Sequence, residues 1–213
     1  MKLFGYWRSS CTWRVRIGLN LKGIAYEYVP THLVRNGGEQ FSEAFRKLNP
    51  HAQVPLLVVE DQTPPFCLGQ SVAILEYLEE RYPEPSLLPK TPEARARCRQ
   101  IAEVVNSGIQ PLQNLSVLNR LQAENADAQG FARHFIELGL RSLEALASAE
   151  SGPFFLDETP TFADLFLVPQ LYNARRFQID LRPFSRLLAI EQACEALPAF
   201  QAAHPSVQPD VEA

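Results

Sequence analysis

The sequence predicts two domains in succession, a mixed α/β domain over residues 1–83 and an all-α domain over residues 91–213. Three observations carry that reading. Short apolar and β-branched runs alternate with amphipathic stretches through the first 80 or so residues, in the order β-α-β-α-β-β-α. Tyr82–Pro92 then holds four prolines, at 83, 85, 89 and 92, as a linker would. Beyond it the periodicity is helical almost to the end, with no strand of comparable quality.

Lys2–Tyr6 is apolar and aromatic, a strand. Ser9-Ser10 stand before a helical pattern whose apolar face is Val15, Ile17, Leu19 and Leu21, with Gly23 as its stop. Tyr26–Val29 is a second strand, Asn36-Gly37-Gly38 a turn and Phe41–Lys47 a short helix. Val54–Val59 (VPLLVV) has the unbroken apolar character of a buried strand, and a turn through Glu60–Pro65 leads to a strand around Phe66–Leu68. Gln70–Tyr82 places Val72, Ile74, Leu75 and Leu78 on one helical face, with Ser71 as the expected N-cap.

After the linker, Thr91-Pro92-Glu93 reads as N-cap, first-turn proline and a carboxylate suited to the positive helix end. Helices are expected over 92–122, broken or kinked at Pro111, and over 129–148, 162–176 and 184–196. Thr161 and Asp164 form a capping-box variant opening FADLFLVPQL, a helix apolar on every side and therefore the core of the second domain.

The 213 residues are 46% hydrophobic and 21% charged, an ordinary globular balance. The longest run free of Asp, Glu, Lys and Arg is Val104–Asn119, 16 residues, short of the roughly 20 apolar residues that span a bilayer. The N-terminus lacks the apolar core of a signal peptide, so a cytoplasmic protein without membrane attachment is expected. Four cysteines are too few for a disulfide scaffold, and the four histidines have no metal-ligand spacing, so no metal is expected. The net charge of -4 argues against nucleic acid as a partner. It also averages over an uneven chain: residues 1–26 hold Lys2, Arg8, Arg14, Arg16 and Lys22 and no acid, a cationic segment of +5.

Ser9-Ser10-Cys11 sits where a strand hands over to a helix, so free N–H groups and the helix dipole favour an anion there: phosphate, carboxylate or thiolate. The same field lowers a thiol pKa, which would make Cys11 itself reactive. Equally, Ser9 or Ser10 caps the helix and Cys11 is a small core residue. The missing second cysteine of a C-x-x-C pair, replaced by Arg14, disfavours dithiol exchange. Pro55 belongs at the start of its strand, and a cis Val54–Pro55 bond would leave the main chain of Val54 open to an extended peptide. Gln70-Ser71 offer a second anion site. Two helix N-termini and an open strand edge suit a short peptide carrying carboxylates. In the second domain Gln110, Gln113 and Asn114 share a helical face by spacing, either solvated or facing a cleft. Arg175 and Arg176 end an apolar helix, where at least one complements the helix dipole.

SSCTWRVR (Ser9–Arg16) resembles the signature of the zeta-class glutathione transferase family, in which Ser-Ser-Cys replaces the catalytic Tyr or lone Ser of other classes. LNPHAQVP (48–55), QSVAILEYLEE (70–80), GIQPLQNLSVL (108–118), FADLFLVPQ (162–170), NARRF (173–177) and HPSVQPD (204–210) extend the resemblance over nearly the whole chain. Thr12 and Gly18 stand where the family commonly has Ser and Ala, and the Glu60–Pro65 loop is longer than usual. The resemblance implies a cytosolic glutathione transferase fold: a thioredoxin-like domain binding glutathione and an all-helical domain completing the substrate site. It implies a homodimer and a glutathione-dependent isomerase of maleylacetoacetate, in tyrosine and phenylalanine breakdown.

Carried over by motif, the catalytic group would be Ser9, Ser10 and Cys11. Glutathione would also meet Thr12, Trp13, Arg14, Gln40, Val54, Gln70 and Ser71, with Gln110, Asn114, Leu115 and Ser116 from the helical domain. The main chain of Val54 would pair with the cysteinyl unit, and Gln70-Ser71 would take the γ-glutamyl carboxylate. A Ser9 or Ser10 hydroxyl would donate to the sulfur and favour thiolate. Arg8, Arg14 and Arg176 would grip the carboxylates of a small cis-enone dicarboxylate. Maleylpyruvate isomerisation and glutathione transfer to α-haloacids are alternative chemistries on the same scaffold. The intact Ser-Ser-Cys and Gln-Ser pairs speak against a non-enzymatic interaction module.

Overall fold

A computed structural model describes residues 1–147 and 152–212. They form two compact units: residues 1–86 together with those from Pro198 onward, and Leu87–Leu197.

The first unit contains β1 (Lys2–Gly5), α1 (Ser10–Leu21), β2 (Glu27–Pro30), α2 (Glu43–Leu48), β3 (Leu56–Val59), β4 (Phe66–Gly69) and α3 (Ser71–Arg81), with short 3-10 turns at Arg35–Gly37 and Glu39–Phe41. The sheet order is β2-β1-β3-β4. β1 runs parallel to β2, with Leu3 opposite Tyr28, and antiparallel to β3, with Leu3 opposite Leu57. β4 is antiparallel to β3, with Leu57 opposite Leu68. This is the expected βαβαββα order in a thioredoxin-like arrangement. All four residues of β3 are buried, which is why the strand reads as a continuous apolar run rather than an alternating one. It begins two residues later than expected, after Pro55.

α1 packs on α3, and its Thr12 meets β1 at Gly5. Gly5 permits the close approach, because a Cβ there would come within 2.2 Å of the Thr12 methyl. The other end of α1 is tied to α3 by a buried ion pair, Lys22 Nζ to Glu79 at 2.8 Å. Lys22 also donates to the carbonyls of Tyr82 (2.6 Å) and Pro85 (2.9 Å), and Ser86 Oγ donates to Glu79 (2.6 Å). A buried ammonium is stable only with such a full set of acceptors.

The second unit is helical throughout: α4 (Pro92–Asn106), α5 (Leu115–Ala123), α6 (Ala128–Leu146), α7 (Phe162–Arg176) and α8 (Ser185–Glu195). Residue 148, the expected end of the second helical stretch of this region, lies outside the described residues. Thr91 caps α4 as expected, accepting from Ala94 N–H at 3.2 Å with Pro92 in the first turn. α7 is the core: Phe162, Ala163, Leu165, Phe166, Leu167 and Val168 are all at most 2% exposed. Its capping box is present, and Asp164 accepts from the N–H groups of Thr161 and Phe155, each at 2.8 Å.

Two expectations are corrected. The stretch 92–122 is broken rather than kinked around Pro111, residues 107–113 forming turns between α4 and α5, so the spacing that put Gln110, Gln113 and Asn114 on one helical face does not apply. The chain after 197 does not belong with the helical unit. It forms a further short helix, α9 (Pro198–Ala203), and a tail, both packed in the first unit. Six residues give too little periodicity to announce such a helix.

Candidate functional site

The β1–α1 turn brings Ser9, Ser10 and Cys11 to the N-terminus of α1. Ser9 is the N-cap, its Oγ accepting from Thr12 N–H at 3.2 Å while its carbonyl accepts from Trp13 N–H at 2.8 Å. The cap role therefore holds for Ser9, and it leaves the hydroxyl proton of Ser9 undonated among the described residues. Ser10 and Cys11 occupy the first turn, where main-chain N–H groups have no acceptor within the helix. The cap thus stands where the helix dipole favours an anion. Thr12 and Trp13 are both buried with their N–H groups engaged by Ser9, and the Trp13 ring packs edge-on against His204 at 5.2 Å.

A second helix N-terminus lies beside the first. Gln70, not Ser71, is the N-cap of α3, with no side-chain capping bond. Ser71 is the first helical residue and is buried, and its Oγ accepts from Arg14 Nη1 at 3.5 Å. Gln70 is exposed and has φ of +69°, a left-handed conformation costly for a residue with a Cβ and most often met at functional sites. Val54 precedes β3 through a cis bond to Pro55, and its main chain enters no hydrogen bond among the described residues. Gln40 is buried: its Nε2 donates weakly to Leu33 carbonyl (3.4 Å), while its Oε1 has no partner among the described residues. Gly38, at φ of +107°, makes room for that amide, since a Cβ there would lie 2.6 Å from Gln40 Nε2.

The cationic N-terminal segment looks different in three dimensions. Arg14, Arg16 and Lys22 are all buried. Arg14 reaches Ser71, and Arg16 donates to the carbonyls of Ala203 (3.0 Å) and Trp7 (2.8 Å). Arg14, expected both at glutathione and at a substrate carboxylate, is wholly enclosed. Of the three arginines, Arg8 alone keeps surface exposure, its guanidinium 5.4 Å from the Trp7 ring and 5.9 Å from the Tyr6 ring.

Within the helical unit, Gln110 is half-buried in the turn after α4. Asn114 caps α5, accepting from Ser116 N–H (3.0 Å) and Oγ (2.9 Å), and Leu115 is exposed. Gln113 instead exchanges two amide hydrogen bonds with Gln170 in the buried interior (2.9 and 3.1 Å). Arg175 forms a bidentate pair with Glu191 (2.6 and 2.5 Å), whereas Arg176 is exposed and donates to Asn173 Oδ1 at 3.3 Å. Among the described residues no group of three or more His, Cys, Asp or Glu could hold a metal, and no helix is long and apolar enough to cross a membrane.

Residues 3–86 match the family model described as the N-terminal domain of glutathione S-transferase. The maleylacetoacetate isomerase of Rattus norvegicus is 48% identical over 211 residues, covering 99% of this chain and 95% of the relative. A solved maleylacetoacetate isomerase of Anaeromyxobacter dehalogenans with bound glutathione is 51% identical at a TM-score of 0.91, covering 99% of this chain and 97% of that one. A holo maleylpyruvate isomerase, described as a bacterial zeta-class glutathione transferase, superposes at 0.93 with 41% identity and full coverage of both chains. The chain belongs to the zeta-class glutathione transferase and maleylacetoacetate isomerase family. In this zeta-class member, Ser9 and Ser71 begin the two helices whose N-termini adjoin within one unit. Sequence reading missed Asp210, which accepts from Trp7 N–H at 2.9 Å beside the Ser-Ser-Cys turn. The only sequence signal was the tail motif HPSVQPD, because the two residues lie 203 positions apart.

Proposed function

We propose that this chain is a glutathione-dependent cis-trans isomerase of maleylacetoacetate. The observation that supports it best is the pairing of two helix N-termini with the unbonded main chain of Val54, ahead of β3, in one unit. The donor and acceptor set fits glutathione: N–H groups of Ser10 and Cys11 and the hydroxyl of Ser9 for the sulfur, the main chain of Val54 for the cysteinyl amide. Ser71 and the N-terminus of α3 suit the γ-glutamyl carboxylate, and the buried, unmatched Oε1 of Gln40 suits a peptide N–H. When bound, glutathione supplies a thiolate that adds to the cis double bond, frees it to rotate and then leaves.

The residues of the chain have three tasks. Ser9 donates its free hydroxyl proton to the sulfur, and the α1 dipole stabilises the charge; both lower the thiol pKa. Arg14 holds the Ser71 hydroxyl at the head of α3. Arg8 carries a guanidinium suited to a substrate carboxylate; Arg176 is assigned the same chemistry on the strength of the family motif. We further infer that the protein acts in the cytoplasm as a homodimer, without nucleic acid or membrane as partners.

Glutathione-dependent loss of maleylacetoacetate absorbance tests the reading, and no turnover at micromolar enzyme overturns it. Ser9→Ala should lower kcat/KM on the order of 100-fold, the scale set by removal of one donor to a developing or stabilised anion. The full-length likeness to a maleylpyruvate isomerase favours one second reading, the same reaction on the shorter diacid. The ratio of kcat/KM for the two substrates decides between them.

A further inference from the structure

The C-terminal segment reaches the Ser-Ser-Cys turn at Trp7, directly at its N–H and through Arg16 at its carbonyl. Trp7 N–H donates to Asp210 Oδ2 at 2.9 Å. Trp7 C=O accepts from Arg16 Nη2 at 2.8 Å. Arg16 is fully buried and is itself anchored on the tail side, donating through Nε and Nη2 to Ala203 carbonyl at 3.1 and 3.0 Å. Tyr28 OH donates to the same Asp210 oxygen at 3.2 Å, and the Tyr28 ring lies under the Arg16 guanidinium at 5.6 Å. The other carboxylate oxygen, Asp210 Oδ1, is buried with no acceptor duty filled among the described residues.

Trp7 is therefore gripped on both sides by groups that depend on the tail. The next two residues are Arg8, whose guanidinium stands 5.4 Å from the Trp7 ring, and Ser9, whose own N–H is tied back to Tyr6 C=O at 3.0 Å. A rotation of the Trp7 peptide would move the side chain that carries Arg8 and the N-cap that carries the Ser9 hydroxyl. We infer that Asp210 is a positioning residue for the reaction: from the end of the chain it fixes the turn that aims Arg8 at the substrate carboxylate and Ser9 at the thiol. This rests on the functional reading above and adds to it a residue that touches neither glutathione nor substrate.

The test compares three variants of the full chain. Asp210→Ala removes the acceptor; Asp210→Asn keeps one oxygen for Trp7 N–H; Glu212→Ala removes a different tail anchor, the 2.7 Å contact of Glu212 with His32 Nε2, without touching Trp7. Melting temperature reports the fold. The readouts are kcat/KM, and the pKa of the enzyme-bound glutathione thiol from the pH dependence of its thiolate absorbance. Asp210→Ala should lose kcat/KM on the order of ten- to a hundred-fold, as misplacing a reacting group by about 1 Å does, with a raised thiol pKa. Asp210→Asn should recover most of both. Glu212→Ala should lower the melting temperature while leaving the thiol pKa and kcat/KM in place. If Asp210→Ala folds and matches the wild type in both readouts, or if it and Glu212→Ala change in parallel, the positioning role is overturned. If the wild type itself neither isomerises nor binds glutathione, the functional reading has failed. The geometric claim is then decided by alkylation of Cys11 with iodoacetamide, followed by site-resolved mass spectrometry. Asp210→Ala must change the Cys11 rate several-fold with Cys67 unaffected, and an unchanged rate overturns it.

Discussion

Gln70, which the family motif assigns to glutathione, holds a backbone conformation unfavourable for its own side chain. Its φ of +69° costs a residue with a Cβ about 1 kcal/mol or more, and glycine would adopt it freely. Gln70→Gly should therefore raise the urea midpoint by an amount equivalent to about 1 kcal/mol while raising the KM for glutathione. A gain in stability with unchanged KM would remove Gln70 from the site. Asp164 is a second residue-scale case. Burial outweighs its hydrogen bonds and pushes its carboxyl up to about 6 from 3.8. The folded chain then holds that proton more tightly than the unfolded chain, so the stability this group contributes is complete below about pH 4 and falls as pH rises towards 6. Denaturation midpoints between pH 4 and 7 should show this segment of slope in the wild type, flattened in Asp164→Asn.

At the level of elements, what the sequence declared was periodicity and punctuation. β3 was visible in LLVV, α4 in Thr91-Pro92-Glu93 and α7 in its capping box, because each signal is local. The burial of cations was not visible. Lys22 reads as one more surface charge at the end of an amphipathic helix, and only the arrival of Glu79 57 residues later, with two carbonyls, makes its position tenable. Likewise Gln113 reads as an amide that is either solvated or facing a cleft until Gln170 meets it. The same limit applies to the candidate site: the helix N-termini were legible, whereas the residues that hold them still were not. Because Lys22 and Glu79 are enclosed together, removing one strands the other. Glu79→Ala should destabilise by about 3–5 kcal/mol, the usual result of breaking a buried pair, while the double substitution Lys22→Met, Glu79→Leu should recover much of that loss. Chemical denaturation of both variants and of Lys22→Met alone measures it, and a loss in the double variant equal to the sum of the single losses would show that the pair contributes no coupling.

For the molecule as a whole, the division of labour along the chain differs from the division in space. One division between the compact units falls after Ser86, within the Pro-rich stretch, but the return of the chain at Pro198 has no compositional marker. Ending the chain after Leu197 would deprive Arg16 of Ala203, Trp7 of Asp210 and Asn20 of its 3.1 Å bond to Ala199 carbonyl. A fully buried guanidinium would be left with the Trp7 carbonyl as its one remaining acceptor of these. The shortened chain should lose the first unit's cooperative melting while the helical unit retains its own. Hydrogen exchange resolved by segment distinguishes that outcome from uniform loosening.

The discontinuity of the first unit also orders events in the cell. As the polypeptide leaves the ribosome, the Ser-Ser-Cys motif emerges some 200 residues ahead of the carboxylate that accepts from its neighbour Trp7. A nascent or prematurely terminated chain therefore carries the complete signature without its anchor. The first unit can finish folding only after the residues from Pro198 onward have been made.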